Sequence, residues 1–248
     1  MLPSPRTKAD SLWAVVPARS GSKGFQDKNI ALLQGVPLLA HSIAFAGKLS
    51  FVSRILLSTD SEDYARLGRE FGADTPFLRG PAASSDAAME EDVLDDILHQ
   101  CLEHSIEVPS AILWLRPTHP VRCTDSYEAA YKLFISGLYS AVCVVTAEDP
   151  RIFHVSDGVL SAPASWPPHR SMVRRQELAV GYRIFGGELF PMPVTRDPEF
   201  LGARMGFGVA PSECRFDIDS PLDLATLNDI LMSPSGSTRL ARFVHGAR

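Results

Sequence analysis

Short, β-branched-rich apolar runs, separated by longer amphipathic stretches, are what most limits the folds open to this chain. Runs at 12–16, 52–58, 110–115 and 140–146 are bounded by turn residues and read as buried strands. Between them the spacing is helical. Tyr64, Leu67 and Phe71 share one helix face, and Gly72 follows as a C-terminal cap. Val93, Leu94, Ile97, Leu98, Cys101 and Leu102 give a second helix a wide apolar face, and a third fits 125–136. Strands alternating with helices predict an α/β fold with a mainly parallel sheet, whose ligand sits at the carboxyl ends of the strands.

The pattern breaks between about 147 and 200, in a stretch rich in Pro, Gly and Arg. That stretch is expected to be a long functional excursion or an interface lobe. Regularity returns with "CRFDIDSPLDLATLNDIL", and the segment after Met232 is expected to be loose. The expected organisation is one domain over 11–232, with tails at 1–10 and 233–248. No internal repeat is found. No apolar run reaches the roughly 18 residues that span a bilayer, and the N-terminus is polar. Cys101, Cys123, Cys143 and Cys214 are scattered with no C-x-x-C pair, which fits a reduced, cytoplasmic chain. The formal charge of −5 argues against a general nucleic-acid binder but allows a local basic pocket.

Such a pocket is suggested by "PARSGSKGFQDKN" at 17–29, which directly follows the first strand run. Gly21 and Gly24 let the backbone approach a ligand, and successive N–H groups in such a turn form an anion-binding nest. Arg19, Lys23 and Lys28 add positive charge, so the natural ligand is a polyphosphate. The loop is neither G-x-x-x-x-G-K-[ST] nor G-x-G-x-x-G. Taken alone, it also fits a surface loop with solvated charges.

A second stretch, "FDIDSPLDL", places Asp217 and Asp219 two apart at a strand end, both carboxylates on one face. Two like charges side by side call for a cation between them, and Mg²⁺ held by one or two carboxylates plus phosphate oxygens is the natural one. A solvated strand end is the plain alternative. Ser220, Pro221 and Asp223 read as a helix start, Asp223 being structural. Loop and acidic pair together point to a metal-assisted reaction on a nucleotide.

"VVPARSGSKGFQDKNI" strongly resembles the N-terminal signature of the acylneuraminate cytidylyltransferases. The resemblance continues through "LLSTDSEDYARLGREFGADTPFLRG", "LWLRPTHPVR" and "FDIDSPLDL", in order, over almost the whole chain. It implies a Rossmann-like nucleotide-diphosphosugar transferase fold. The implied reaction is Mg²⁺-dependent transfer of CMP from CTP to the anomeric hydroxyl of a sialic-type 2-keto-3-deoxy sugar acid, releasing pyrophosphate. A small lobe reaching a second subunit would make a homodimer and explain 147–200. The resemblance assigns Arg19 and Lys23 to the triphosphate, within a nucleotide loop that also includes Ala18, Ser20 and Gly21. Lys28 falls near the phosphates, Asn29 near the nucleotide and Arg79 near the cytosine. Asp217 and Asp219 match the metal pair, and Arg175 and Gln176 match a dimer-lobe motif.

The departures concern the sugar. Where sialate enzymes commonly read Gln-Pro-Thr-Ser-Pro, this chain has Arg116-Pro117-Thr118-His119-Pro120. Arg116 either binds a substrate carboxylate or pairs with a local acid. Phe185-Gly186-Gly187 falls where Asn-Gly-Ala is familiar, and Phe offers neither donor nor acceptor, which predicts an altered sugar pocket. A hydroxyl residue after Asp86 is replaced in "AAM". His119 reads as a turn cap, Trp13 and Trp114 as core, and Trp166 as an interface anchor. His169-Arg170 and Arg174-Arg175 read either as a solvated basic face or as groups reaching into a partner's site. Other readings are a nucleotidyltransferase of the same fold with another nucleotide or sugar, and a catalytically weak nucleotide-binding regulator.

Overall fold

Leu12–Pro17 form strand β1, whose residues alternate between two cores: Leu12, Ala14 and Val16 face one, Trp13 and Val15 the other. Both faces are buried, so the run is continuously apolar. The computed structural model describes residues 11–21, 24–162, 166–167, 170, 172–192 and 199–245. After β1 come β2 (Leu32–Leu33), β3 (Val36–Pro37), α1 (Leu38–Ala46), β4 (Arg54–Ser58), α2 (Glu62–Glu70) and α3 (Glu90–Glu103). Then follow β5 (Ala111–Trp114), α4 (Thr124–Ile135), β6 (Ala141–Glu148), β7 (His154–Ser156) and β8 (Val159–Ser161). The chain continues with β9 (Gly181–Pro191), β10 (Met205–Val209), α5 (Pro221–Met232) and α6 (Pro234–Leu240).

The main sheet has the order β10-β6-β9-β5-β1-β4, and β9 alone runs antiparallel to its neighbours. Helices α1, α4 and α5 pack into one core, and α3 covers the other through Val93, Leu94, Ile97 and Cys101. The expected strands and helices are present within a residue or two at most ends. Gly72 takes φ +96°, as a C-terminal cap requires. Ser220 caps α5, and Asp223 Oδ2 accepts from the Ser220 N–H at 2.8 Å, so Asp223 is structural.

Two expectations change. The 147–200 stretch is not only an excursion: its residues 181–191 are β9, threaded between β5 and β6 in the middle of the sheet. Its sequence hid this because Gly186 and Gly187 interrupt the apolar pattern. Before β9, the hairpin of β7 and β8 stands apart from the main sheet, with Val155, Val159 and Leu160 exposed. Residues 233–245 are not loose. Leu240, Phe243 and His245 are buried, and Val244 bridges to Val121, because the strip after β5 leaves an apolar face for it to cover. His245 Nε2 lies 2.7 Å from the Arg122 carbonyl and its Nδ1 lies 2.9 Å from Lys48 Nζ. The neutral tautomer that donates to the carbonyl and accepts from Lys48 satisfies both.

Among the described residues, no helix is long and apolar enough to cross a membrane.

Candidate active site

Strand β1 lies between β4 and β5, and the chain leaves all three at the same edge of the sheet. This is the switch point where open α/β sheets hold ligands. The opening loop leaves β1 there, Asp60 and Arg79 follow β4, and the Arg116–Arg122 strip follows β5. Together they border a cleft of about 540 Å³ lined by Arg19, Lys28, Asn29, Arg79, Arg116 and Asp219, with Ala88, Met89 and Trp114 on its apolar side. A second chamber, about 470 Å³, shares Lys28, Arg116, Thr118 and Asp219 with the first and adds His119, Arg183, Glu188 and Asp217.

Residues from opposite ends of the chain meet in this cleft. Lys28 Nζ donates to Asp219 Oδ1 at 2.9 Å, across 191 positions of sequence. Arg183 Nη2 donates to Asp217 Oδ2 at 2.9 Å. The aspartates are held beside the strip because the Ile218 N–H donates to the Thr118 carbonyl at 2.9 Å. A polyanion entering here meets a converging set of cations beside an acidic pair, the arrangement that phosphoryl chemistry needs.

A family model described as cytidylyltransferase matches residues 13–151, more than half of the chain. The chain belongs to the cytidylyltransferase family. It is similar to the CMP-N,N'-diacetyllegionaminic acid synthase of Legionella pneumophila, 35% identical over 122 residues, 49% of this chain and 52% of that protein. It is 33% identical to an N-acylneuraminate cytidylyltransferase of Escherichia coli over 141 residues, 57% of this chain and 31% of that protein. The chain thus spans about half the length of the Legionella relative and about a third of the E. coli one. Among solved structures it resembles CMP:2-keto-3-deoxy-manno-octonic acid synthetase complexed with CTP. That match has a TM-score of 0.64 and 15% identity, covering 90% of this chain and 98% of that one, a likeness of fold. The family-matched span of the chain carries the loop, Arg79 and the Arg116 strip; Asp217 and Asp219 lie beyond it.

The expected nucleotide residues fall into two groups. Arg19, Lys28, Asn29 and Arg79 line the first chamber. Arg19 Nη1 pairs with Asp86 at 2.8 Å, and buried Asn29 braces the loop by donating to the Arg19 carbonyl at 2.9 Å. Arg79 is locked to the end of β4 by bonds to Ser58 Oγ (3.0 Å) and the Ser58 carbonyl (2.6 Å). Burial pulls its pKa down to about 10, so it stays charged at neutral pH.

Ala18, Ser20 and Gly21 do not line either chamber. Ala18 is fully buried, and Gly21 turns the chain at φ +65°. Ser20 gives both its N–H (2.8 Å) and its hydroxyl (3.1 Å) to Asp60, so this carboxylate already occupies part of the expected nest. Lys23 lies outside the described residues, as does His169.

The expected substrate residues also divide. Arg116 lines both chambers, and of its two alternatives the structure contains the local pairing: Nη1 donates to Glu188 Oε1 at 2.6 Å and Nη2 to Glu90 Oε1 at 3.0 Å. Burial pulls its pKa down, but the two carboxylates outweigh this and raise it. Arg175 and Gln176 sit in an exposed 3-10 turn (Arg175–Glu177) and do not line the cleft of this chain. Trp166 donates from Nε1 to the Arg170 carbonyl at 2.8 Å and packs 5.2 Å from Phe153.

Phe185 lines neither chamber. Gly187 pairs with Val144 and Ile184 with Val145, so Phe185 and Gly186 form a bulge in β9. Gly186 takes φ +84° there. The bulge turns Phe185 inward, edge-on to His119 at 5.4 Å, with the Arg183 guanidinium 4.6 Å from its ring centre. Phe185 therefore supports the two groups that flank Asp217.

His119 is more than a turn cap. It is buried, with Nε2 3.5 Å from Asp217 Oδ1 and Nδ1 3.2 Å from Thr118 Oγ1. Burial lowers its pKa against the pull of Asp217. Burial pushes the Asp217 carboxyl up, but His119, Thr118 and Arg183 outweigh it and hold the group below its ordinary value. Arg183 and Glu188 escaped the sequence reading. The available signal was charge: both interrupt the otherwise apolar "YRIFGGELF", and a charged residue inside a strand run needs a partner or a ligand.

Proposed function

We propose that this chain transfers CMP from CTP to the anomeric hydroxyl of a nonulosonic or related 2-keto-3-deoxy sugar acid, with release of pyrophosphate. The observation that carries this reading is the convergence of Lys28 and Arg19 from the first loop with Asp217 and Asp219 from the last on one two-chambered cleft. The names of its relatives supply the substrate class.

In this reading the nucleotide takes the first chamber. Arg19 exchanges Asp86 for phosphate oxygens, Lys28 reaches them from the boundary between chambers, and Arg79 faces the base. The sugar takes the second chamber, so its hydroxyl oxygen meets the α-phosphate near Thr118 and Asp219. Arg19 and Lys28 offset the charge that builds on the phosphate oxygens as the bond to pyrophosphate breaks.

The residues fit a divalent cation. Asp217 Oδ1 is buried, with His119 Nε2 3.5 Å away and no hydrogen bond of ordinary geometry, a state that a cation would complete. Among the described residues no group of three or more His, Cys, Asp or Glu side chains could hold a metal. The fitting arrangement is therefore Asp217 and Asp219 completed by substrate phosphate. Bound Mg²⁺ would neutralise phosphate charge and acidify the sugar hydroxyl.

A homodimer is part of the proposal. Met205, Phe207 and Val209 project from the edge strand β10 and are about half exposed, as is Tyr182 of β9, 5.5 Å from Phe207. An apolar sheet face of this kind calls for a cover. Arg175 and Gln176, outside this chain's own cleft, would then be offered to the partner. The reaction is placed in the cytoplasm, where CTP is made.

Pyrophosphate release with Mg²⁺ tests the reading, crossing CTP, UTP, ATP and GTP with N-acetylneuraminate, N,N'-diacetyllegionaminate, pseudaminate and 2-keto-3-deoxy-manno-octonate. Release with CTP and one acid is expected. CTP binding without release from any acid would point instead to a nucleotide-binding regulator.

A further inference from the structure

Glu188 is a costly residue to bury in the second chamber. It lies on β9, flanked by Trp114 of β5 and Cys143 of β6, and is 5% exposed. Its carboxylate is divided. Oε1 accepts from Arg116 Nη1 at 2.6 Å, while Oε2 is buried and has no hydrogen-bond partner.

A structural partner for Arg116 would have used both oxygens, because a carboxylate matches the guanidinium fork bidentately. Here Glu90 takes the other arm of Arg116, at 3.0 Å. Glu188 lines the second chamber, and its uncommitted Oε2 is buried rather than open to solvent. A buried acceptor with no donor is the kind of group that a ligand's O–H or N–H completes.

We propose that Glu188 is a specificity residue of the sugar site: its free oxygen accepts a hydrogen bond from an O–H or N–H group of the sugar acid. Acids that bring a donor to this wall are selected over analogues that bring none. Arg116 is its positioning residue, turning Oε1 away and leaving Oε2 to the substrate. The inference rests on the sugar-acid reading above.

The test compares wild-type protein with Glu188→Gln on whichever acid of the panel is turned over, and on analogues in which one hydroxyl or one acylamino group is replaced by hydrogen. If Arg116 keeps the amide oxygen, the variant presents an N–H₂ group where the substrate also brings a donor. Sites built to hydrogen-bond a donor reject analogues that lack it strongly. The wild type is therefore expected to prefer the parent acid over one analogue by about tenfold or more in kcat/KM. In Glu188→Gln that preference should vanish, through a rise in KM for the acid, with KM for CTP within about twofold of wild type.

An equal loss on every acid, or a rise in KM for CTP, would make Glu188 a structural partner of Arg116 and overturn the proposal. If the variant fails to fold, as read by thermal melting, the wild-type analogue series still decides. Equal kcat/KM across all analogues overturns it, and a tenfold preference pinned to one donor supports it. Pyrophosphate release from no acid at all overturns the parent reading and this one with it. Release with unaltered preference in Glu188→Gln overturns this one alone.

Discussion

Asp217 is the residue on which most of the site turns. Its two oxygens have different neighbours: Oδ2 takes Arg183 at 2.9 Å, while Oδ1 is buried with His119 Nε2 3.5 Å away. Replacing it by Asn keeps the size and leaves Arg183, whose side chain is 57% exposed, to water. The fold should therefore hold, with a melting temperature close to wild type. Pyrophosphate release at saturating Mg²⁺ should fall about a hundredfold or more, equivalent to losing a few kcal/mol of transition-state stabilisation. Near-normal turnover in Asp217→Asn would remove the metal role. The acidic pair was legible as two aspartates two positions apart, but the strand end expected there is an irregular segment between a 3-10 turn (Ser212–Cys214) and α5. The pair's neighbours Arg183 and His119 were not legible, because they arrive from another strand and another loop.

At the scale of elements, β9 does most to shape the sugar chamber. It carries Arg183 and Glu188 on either side of the bulge, and the bulge exists because Gly186 adopts a left-handed conformation and Gly187 lies against Tyr127. A Cβ on Gly187 would stand 2.6 Å from Tyr127 Cε1. Tyr127 cannot yield easily, being 1% exposed and packed edge-on against Phe45 at 4.6 Å. Gly187→Ala should cost about 1–3 kcal/mol, the usual range for overpacking, read as a lowered urea midpoint with an unchanged m-value. An unchanged midpoint would mean that the bulge accommodates a methyl group. The sequence showed glycines here but not their purpose, since a bulge is defined by pairing with β6, about 40 residues earlier in the chain.

For the whole molecule, the C-terminal segment and α1 place two neutral histidines in the interior. Burial lowers His41 and His245 from 6.5 to about 4, and Lys48 and Arg122 beside His245 push it further the same way. Unfolded, both would titrate near 6.5. Between about pH 6.5 and 4 the unfolded chain therefore binds more protons than the folded one, and stability falls as pH falls through that window. Each histidine costs roughly 3 kcal/mol of stability by the acid end, because every tenfold loss of proton affinity on folding is worth about 1.4 kcal/mol. Urea melts at pH 7.0, 5.5 and 4.5 should show progressive loss, and His245→Gln should flatten part of the slope. A profile flat down to pH 4.5 would contradict the burial of these rings.

The alternating α/β plan, the opening loop, the acidic pair and the α5 cap can each be read from residues close together in the chain. Periodicity, capping and turn chemistry act over a few positions and can be read there. The tertiary structure alone decided which cations meet which carboxylates: Arg116 with Glu188 and Glu90, Lys28 with Asp219, Arg183 with Asp217. It also decided that β9 belongs to the sheet and that the last segment braces the strip after β5. Those pairings cross up to 191 positions of sequence. They are fixed by where the strand ends converge, and no local pattern in the sequence records that distance.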